Sequence, residues 1–254
     1  VVILKSADEI ERMRQAGRIV AEVLDYLKKL VQPGITTLEL DREAERQILR
    51  RGGKPTFKGY KRFINDDPFP GCICTSINEE VIHGIPSRRK LEKGDIISID
   101  IGVRFEGFCS DAAITLPVES ISQEAKDLLE ATEESLYQGI EKAYVGNRLQ
   151  DISYAIQRYV EERGFSVVRD FVGHGIGRSP HEDPQVPNFG KPGRGIRLEE
   201  GMVLAIEPMV IMGSYEVEVL ANGWTAVAVD HSLSAHFEHT VAITGSGPEI
   251  LSKI

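Results

Sequence analysis

Apolar residues at spacings of three and four mark the first organised stretch of the chain: Ile10, Met13, Gly17, Val20, Leu24 and Leu27 share one face of a helix. Ser6 and Glu9 form the capping-box pair that opens it. Gly34 in VQPG closes this segment, Thr36 and Glu39 offer a second capping box, and a further helix runs to Gly52 and Gly53. The same grammar returns after residue 120, with Ala125, Leu128, Leu129 and Leu136 on a helical face. Gly146 then punctuates the chain, Asn147 with Gln150 supplies a cap, and a helix reaches Gly164. A constant shift of 112 residues carries Met13, Ala16, Leu24, Gly34, Leu40 and Gly52 onto Ala125, Leu128, Leu136, Gly146, Ile152 and Gly164.

The remainder of each half alternates like strands and repeats in the same sense. KGDIISID ends at Asp100 and EGMVLAIE at Glu207, each acid six residues after a glycine. SDAAIT around Asp111 and FEHTVAIT around Glu238 again place an acid at the head of a short β-branched run. The pattern predicts two similar halves, each two helices followed by several strands, packed as one body around a shared sheet. In DIISIDIGV the period of two puts Ile97, Ile99, Ile101 and Val103 on one face and Ile96, Ser98, Asp100 and Gly102 on the other. Glu207 sits among apolar residues with Pro208 after it, which marks a strand edge, end or bulge.

Composition narrows the class. The 254 residues are 41% hydrophobic and 27% charged with a net charge of -9, which fits a globular chain and gives a general nucleic-acid surface little support. No apolar run approaches the roughly 20 residues that span a bilayer, and the tetrad in VVILKSADEI is too short for a signal-peptide core, so a cytoplasmic protein is expected. The start at Val leaves trimming and processing equally open. Cys72, Cys74 and Cys109 cannot close a disulfide set. Cys72 and Cys74, two apart, read as small apolar side chains on one side of a strand.

A single acid in a strand ordinarily faces solvent. Four acids at matched places in two related halves are different, because closing the body brings Asp100, Asp111, Glu207 and Glu238 toward one centre, where their charges could not persist unneutralised. Lys and Arg do not cluster at those positions, so divalent metal ions are the natural counter-charge, and two would cancel about four negative charges. An imidazole should complete such a set. Of His83, His174, His181, His231, His236 and His239, His174 stands out in FVGHGIGRSPHEDP, where Gly173, Gly175 and Gly177 permit close backbone approach.

Asp100, Asp111, His174, Glu207 and Glu238, separated by 11, 63, 33 and 31 residues, together resemble the dinuclear metal site of the type I methionine aminopeptidases. INEEVIHGIP, GDIISIDIGV, GFCSDAAIT, FVGHGIGRSPHEDP, MVLAIEPMV, NGWTAVAVD and SLSAHFEHT carry the resemblance over nearly the whole chain, in the short form without an N-terminal extension. It implies the α/β pita-bread fold: one catalytic domain, 1–254, whose pseudo-twofold halves, about 1–118 and 119–254, each pack two helices on a shared curved, antiparallel-rich sheet. It implies a metalloaminopeptidase that removes the initiator methionine from newly made proteins and peptides, preferring a small second residue, with metal-activated hydroxide as nucleophile. Asp111 and Glu238 would bridge two ions, Asp100 would chelate one, and His174 with Glu207 would hold the other, Glu207 doubling as proton shuttle. His181 is placed to stabilise the oxyanion and His83 to contact the scissile amide. One imidazole and four carboxylates suit Mn, Fe or Co and accept Zn.

The matching pocket positions are Tyr60, Phe63, Cys74, Met209 and Trp224, an apolar recess for an unbranched thioether. The chain departs from the family pattern at Phe63, Pro180 and His236, and KRFINDDPFPGC is longer than in the shortest relatives, with a turn at Asp66, Asp67, Pro68 and Pro70. Peptide N-termini are the implied partners; ribosome association is compatible with the resemblance, and neither membrane nor specific nucleic acid is expected. A monomer is expected. An X-Pro aminopeptidase or prolidase-like dipeptidase shares the ligands on a longer chain, and a non-catalytic pita-bread binding module is the alternative outside enzymes.

Overall fold

The computed structural model describes residues 1–61, 64 and 67–253. Two helices open the chain, α1 (Ala7–Lys28) and α2 (Thr37–Arg50), and two more open its second half, α3 (Gln123–Ile140) and α4 (Leu149–Glu161). Both expected capping boxes of the first half form: Ser6 Oγ accepts from Glu9 N while Glu9 returns to Ser6 N, and Thr36 and Glu39 do the same. The helix before Gly34 ends earlier than the glycine suggests, at Lys28, and Gly34 sits in the left-handed region in the turn beyond.

The cap of α4 lies one residue later than Asn147 and Gln150. Asn147 Nδ2 donates to Lys142 O, closing the preceding turn, and Arg148 N donates to Asp151 Oδ2 at 2.7 Å. This correction tightens the repeat, since a shift of 112 carries Thr36 and Glu39 onto Arg148 and Asp151. Gly34 and Gly146, and Gly52 and Gly164, are matched pairs with positive φ.

Among the described residues, fifteen strands follow the helices in the two halves: β1 (Lys54–Pro55), β2 (Ile73–Ile77), β3 (Glu80–Ile82), β4 (Ile96–Phe105), β5 (Phe108–Pro117), β6 (Ser166–Val167), β7 (Gly173–Gly175), β8 (Glu182–Val186), β9 (Val203–Ile206), β10 (Met209–Ile211), β11 (Val217–Val219), β12 (Ala226–Ala228), β13 (Ser234–His236), β14 (Glu238–Thr244) and β15 (Gly247–Ile250). Nine form an antiparallel sheet in the order β1-β4-β5-β14-β9-β7-β8, with β2 also on β4 and β15 also on β14. Strands β5 and β14, with Asp111 and Glu238, are neighbours at its centre; β4, with Asp100 in its middle rather than at its end, and β9, which ends just before Glu207, flank them. One sheet thus runs through both halves. The remaining described strands form two small sheets, β13-β10-β6 and β11-β12-β3.

Alternation along β4 divides the core as expected. Ile97, Ile99, Ile101 and Val103 pack with Val20, Leu24, Leu27, Leu40 and Ile48 from α1 and α2. The second half repeats this with Leu128, Leu136, Ile152 and Ile156 of α3 and α4 against Leu204, Ile206, Val241 and Ile243. Two glycines permit close approach: a Cβ on Gly17 of α1 would lie 2.2 Å from Leu251 O, and one on Gly139 of α3 would lie 2.8 Å from Ile156 Cγ1. Helices therefore cover one face of the sheet, and the face bearing Asp100 is left for the site. Among the described residues, no helix is long and apolar enough to cross a membrane.

Candidate metal centre and its pocket

Strand register alone assembles the acids. Ala113 of β5 is the partner of Asp100 on one side and of Glu238 on the other, so Cys74, Asp100, Ala113 and Glu238 form a row across β2, β4, β5 and β14. A second row, two residues along, contains Gly102 and Asp111, and beyond them Thr240, Ala205 and His174. Residues in register, and those two apart on one strand, project from the same face. One oxygen each from Asp111 and Glu238 and one imidazole nitrogen of His174 lie within 4.8 Å of one another. Glu207, just past the end of β9, brings Oε1 to 3.4 Å from His174 Nε2. Pro208 ends that strand as expected, and Asn188 Nδ2 holds Glu207 O at 2.9 Å.

Two threonine hydroxyls secure the seam between the halves. Thr240 Oγ1 accepts from Asp111 N at 2.9 Å and donates to Asp111 O at 2.8 Å. Thr115 Oγ1 does the same for His236 N and O, both at 2.8 Å. The Thr240 hydroxyl stands in for a rung of the β5–β14 ladder, and the Thr115 hydroxyl ties β5 to the end of β13. Sequence reasoning passed over both, although Thr115 stands four residues after Asp111 in SDAAIT and Thr240 four after His236 in SAHFEHT.

Electrostatics set the chemistry of the cluster. Burial, reinforced by Asp111 and Glu207, raises the Asp100 carboxyl well above its usual range. Glu207 is raised likewise by burial and then Asp111, and Glu238 by burial and then Asp111, Glu207 and Asp100. Burial lifts Asp111 to about 7 against hydrogen bonds from Asp100 and the Ala112 backbone that lower it. His174 is held neutral, its pKa pulled down to about 3 by burial and the neighbouring His181. Its Nδ1 meets Gly175 O at 2.9 Å, which fixes the proton there and leaves Nε2 as a lone-pair donor facing the acids. Among the described residues, Asp100 Oδ1, Asp111 Oδ1 and Glu238 Oε1 are buried with no hydrogen-bond partner. Unpartnered buried oxygens beside a neutral imidazole are the donor set that hard and borderline divalent ions take.

Beside this cluster lies a cavity of about 380 Å³. Asp100, Asp111, His174, Glu207 and Glu238 form its floor, and Tyr60, Cys74, His83, His181 and Trp224 stand on its walls. His181 packs between Tyr60 and His174, with ring centroids 5.0 and 4.5 Å away. His83 has a φ of 58°, a left-handed conformation unusual outside glycine, and the next residue explains how it is imposed. A Cβ on Gly84 would lie 2.1 Å from Thr75 O, so the backbone after His83 is pressed against β2.

Two expectations need revision. Met209 is not on the wall: it is fully buried behind it, packed with Val81, Ile82 and Val168, because β10 runs in the small sheet beneath the pocket. Cys72 and Cys74 do not share an environment. Cys72 precedes β2, and its thiol donates to Asp41 O of α2 at 3.1 Å, while Cys74 faces the cavity with burial raising its thiol. Phe63, and Asp66 of the expected turn, lie outside the described residues. Several wall residues had gone unnoticed: Phe57, Phe69, Ile82 and Phe171. Phe69, in the lengthened stretch before Cys74, is 2% exposed and meets Trp224 edge to face at 5.3 Å. Its flanking prolines were the visible signal, and they pointed to a turn rather than to a wall.

His236 was noted only as a departure. It is buried, with Nε2 3.5 Å from Glu207 Oε2, so Glu207 lies between two imidazoles.

Comparison with known proteins agrees with this geometry. The pattern of metallopeptidase family M24 matches residues 11–245. The chain is 59% identical over 254 residues to a methionine aminopeptidase of Clostridium perfringens, covering 100% of both. A crystal structure of methionine aminopeptidase from Thermotoga maritima superposes with a TM-score of 0.96 at 44% identity, again covering 100% of both chains. The prolidase of Pyrococcus furiosus shares the fold alone, at a TM-score of 0.80 and 23% identity, with 99% of this chain covering 66% of that one. The acids in register, the neutral imidazole and the full-length match have one common explanation: the chain belongs to metallopeptidase family M24, among the methionine aminopeptidases.

Proposed function

We propose that the protein is a dinuclear metal-dependent aminopeptidase that removes N-terminal methionine from newly made proteins and peptides, preferring a small second residue. The observation that carries this reading is the convergence of four buried carboxyls and a neutral imidazole, three of the oxygens unpartnered, on the floor of an apolar-walled cavity. Asp111 and Glu238, from the two central strands, would bridge a pair of divalent ions; Asp100 would hold one and His174 with Glu207 the other. Mn, Fe or Co suits that donor set best, and Zn is acceptable. Such ions lower the pKa of water and polarise the scissile carbonyl, which makes amide hydrolysis accessible at neutral pH.

The chain's own groups do the rest. Glu207 takes the proton from the attacking water and delivers it to the leaving amine, with His174 and His236 on either side of its carboxylate. His181, on the wall, donates to the developing oxyanion. His83, held in place by Gly84, contacts the scissile amide. Tyr60, Phe69, Cys74 and Trp224 enclose the methionine side chain, for which a flexible, polarizable thioether is well matched.

The test strips the purified protein of metal, restores single metals, and compares a Met-Ala peptide with Xaa-Pro peptides. Cleavage of Met-Ala on restoration is expected. Activity on Xaa-Pro alone would refute the reading, and correctly folded, metal-restored protein inactive on both would favour a binding module. Glu207→Gln should abolish turnover while leaving the fold intact.

A further inference from the structure

Lys5 and Glu182 form an ion pair whose side chains are 4% and 8% exposed, and the reaction described above uses neither. A buried pair of this kind adds little net stability, because desolvation of both charges offsets most of their attraction. Its surroundings give it another role. Glu182 follows His181 directly. Its Oε2 accepts from Lys5 Nζ at 2.7 Å and its Oε1 from Ser179 N at 3.0 Å, so one carboxylate closes the 179–182 loop on itself and fastens it to the segment before α1.

Lys5 is itself fixed. Nζ also donates to Ile3 O at 2.9 Å, and the Lys5 backbone N–H donates to Gly201 O at 2.7 Å, two residues before β9. Gly177 lies directly against the pair: a Cβ there would come within 2.5 Å of Lys5 Cε and 2.8 Å of Glu182 Oε1. Behind it, Cys109 N holds Gly177 O at 2.7 Å, tying the start of the loop to β5 two residues before Asp111. The loop that carries His181 is therefore anchored at both ends, and the second anchor is the buried charge pair.

We propose that Lys5 is a positioning residue for His181. Through Glu182 it fixes the direction from which the imidazole enters the cavity, and it touches neither substrate nor metal. The proposal rests on the reading of His181 as a donor to the oxyanion. A displacement of about 1 Å in a reacting group can cost about a hundredfold in rate, so even a partly released loop should be visible in turnover.

The test uses the metal-loaded enzyme and its variants Lys5→Met, Lys5→Met/Glu182→Gln and His181→Ala, with Lys5→Met also placed in the His181→Ala background. Lys5→Met should lower kcat by about tenfold or more with KM within about twofold, and should displace the His181 imidazole resonances in the NMR spectrum of ring nitrogens. In the His181→Ala background it should cost less than about twofold more. Metal content should be unchanged throughout. Lys5→Met/Glu182→Gln leaves no unpaired buried charge, so it reports the same quantities if the single variant does not fold. Unmoved His181 resonances, or an equal loss in both backgrounds, would overturn the proposal. Wild-type turnover in His181→Ala would remove the role given to His181 itself, and the resonances would then decide whether Lys5 sets the ring.

Discussion

Replacing Thr240 by Val tests the claim that one hydroxyl holds the seam between the halves. The exchange conserves side-chain volume and opens no cavity, so the cost comes from hydrogen bonding alone. Thr240 is fully buried, and its Oγ1 serves both Asp111 N and Asp111 O while accepting from Ser110 Oγ at 3.1 Å. The β5–β14 ladder pairs only Ala113 and Ala112 with Glu238 and His239, leaving the backbone of Asp111 to the hydroxyl. At about 1–3 kcal/mol for each buried group left unsatisfied, the three groups give about 3–9 kcal/mol, and local relaxation should bring this to about 3. For a chain of this length that corresponds to a fall in Tm of about 6–12 °C. Thr240→Ser keeps the hydroxyl and loses one methyl, at about 1 kcal/mol.

Urea unfolding of the metal-free protein measures these costs, and calorimetric metal titration measures the consequence for the site. Loosening the backbone of Asp111 should weaken metal binding by about 10–100-fold, as for other groups that orient a ligand. Val costing under about 1 kcal/mol, or Ser costing as much as Val, would show that the hydroxyl is not the rung it is taken to be.

The pH dependence of the metal-free protein follows from opposing groups. Asp111, lifted to about 7, and Asp100, Glu207 and Glu238, raised further by burial and one another, hold protons more tightly folded than unfolded, so stability should rise as pH falls from 9 to 7. His174 and His236, lowered to about 3, and His239, lowered to about 4, are buried neutral, and below pH about 6.5 the protons they refuse offset most of those the four acids hold, so the rise should flatten. Urea midpoints measured in EDTA should therefore rise as pH falls from 9 to 7 and level off below about 6.5; a steady fall from pH 9 to 7 would contradict the charge assignment. Phe69→Ala should raise KM for Met-Ala peptides about tenfold and cost about 3–5 kcal/mol in unfolding experiments, since it removes a buried wall ring. Gly84→Ala must displace backbone of β2 or of His83, and should lower kcat more than about tenfold with metal content unchanged; wild-type kcat would dismiss the role of that contact. Ala113→Val would add two methyls between Asp100 and Glu238 and should reduce metal stoichiometry, measured by elemental analysis, while circular dichroism stays native.

The sequence was legible wherever a residue type answers to local backbone geometry. Ser6 with Glu9 and Thr36 with Glu39 announced helix starts because a cap is a contact across three residues. The glycines at 34, 52, 146 and 164 announced turns because their φ is positive. Asn147 misled by one position because its side chain could serve either the turn before it or the helix after it, and the turn claimed it. The acids were legible for a different reason: the repeat placed them at matched strand positions, and the period of a strand then gave them one face. What no local rule carries is contact across the seam. Lys5 with Glu182, Thr240 with Asp111 and Met209 behind the wall depend on which surfaces meet when the halves close, over separations of 177 and 129 residues in the first two cases.

The two rows across the sheet explain why the ordinary residues between the acids matter as much as the acids. Asp100 and Glu238 face each other over Ala113, and His174 faces Thr240 over Ala205. In each row a methyl group stands where a larger side chain would fill the space between donors. SDAAIT and MVLAIE read as featureless apolar runs around an acid, yet the alanine two residues beyond Asp111 and the one two residues before Glu207 leave the room that a cation needs. Repulsion among the acids would spread such a cluster in a flexible loop. In the middle of a nine-stranded sheet the backbone ladder opposes that spreading, and burial first, then the neighbouring acids, raises the carboxyls held there. The fold thus maintains a charge arrangement that is unfavourable without a counter-ion, which is the physical condition for tight and selective binding of one.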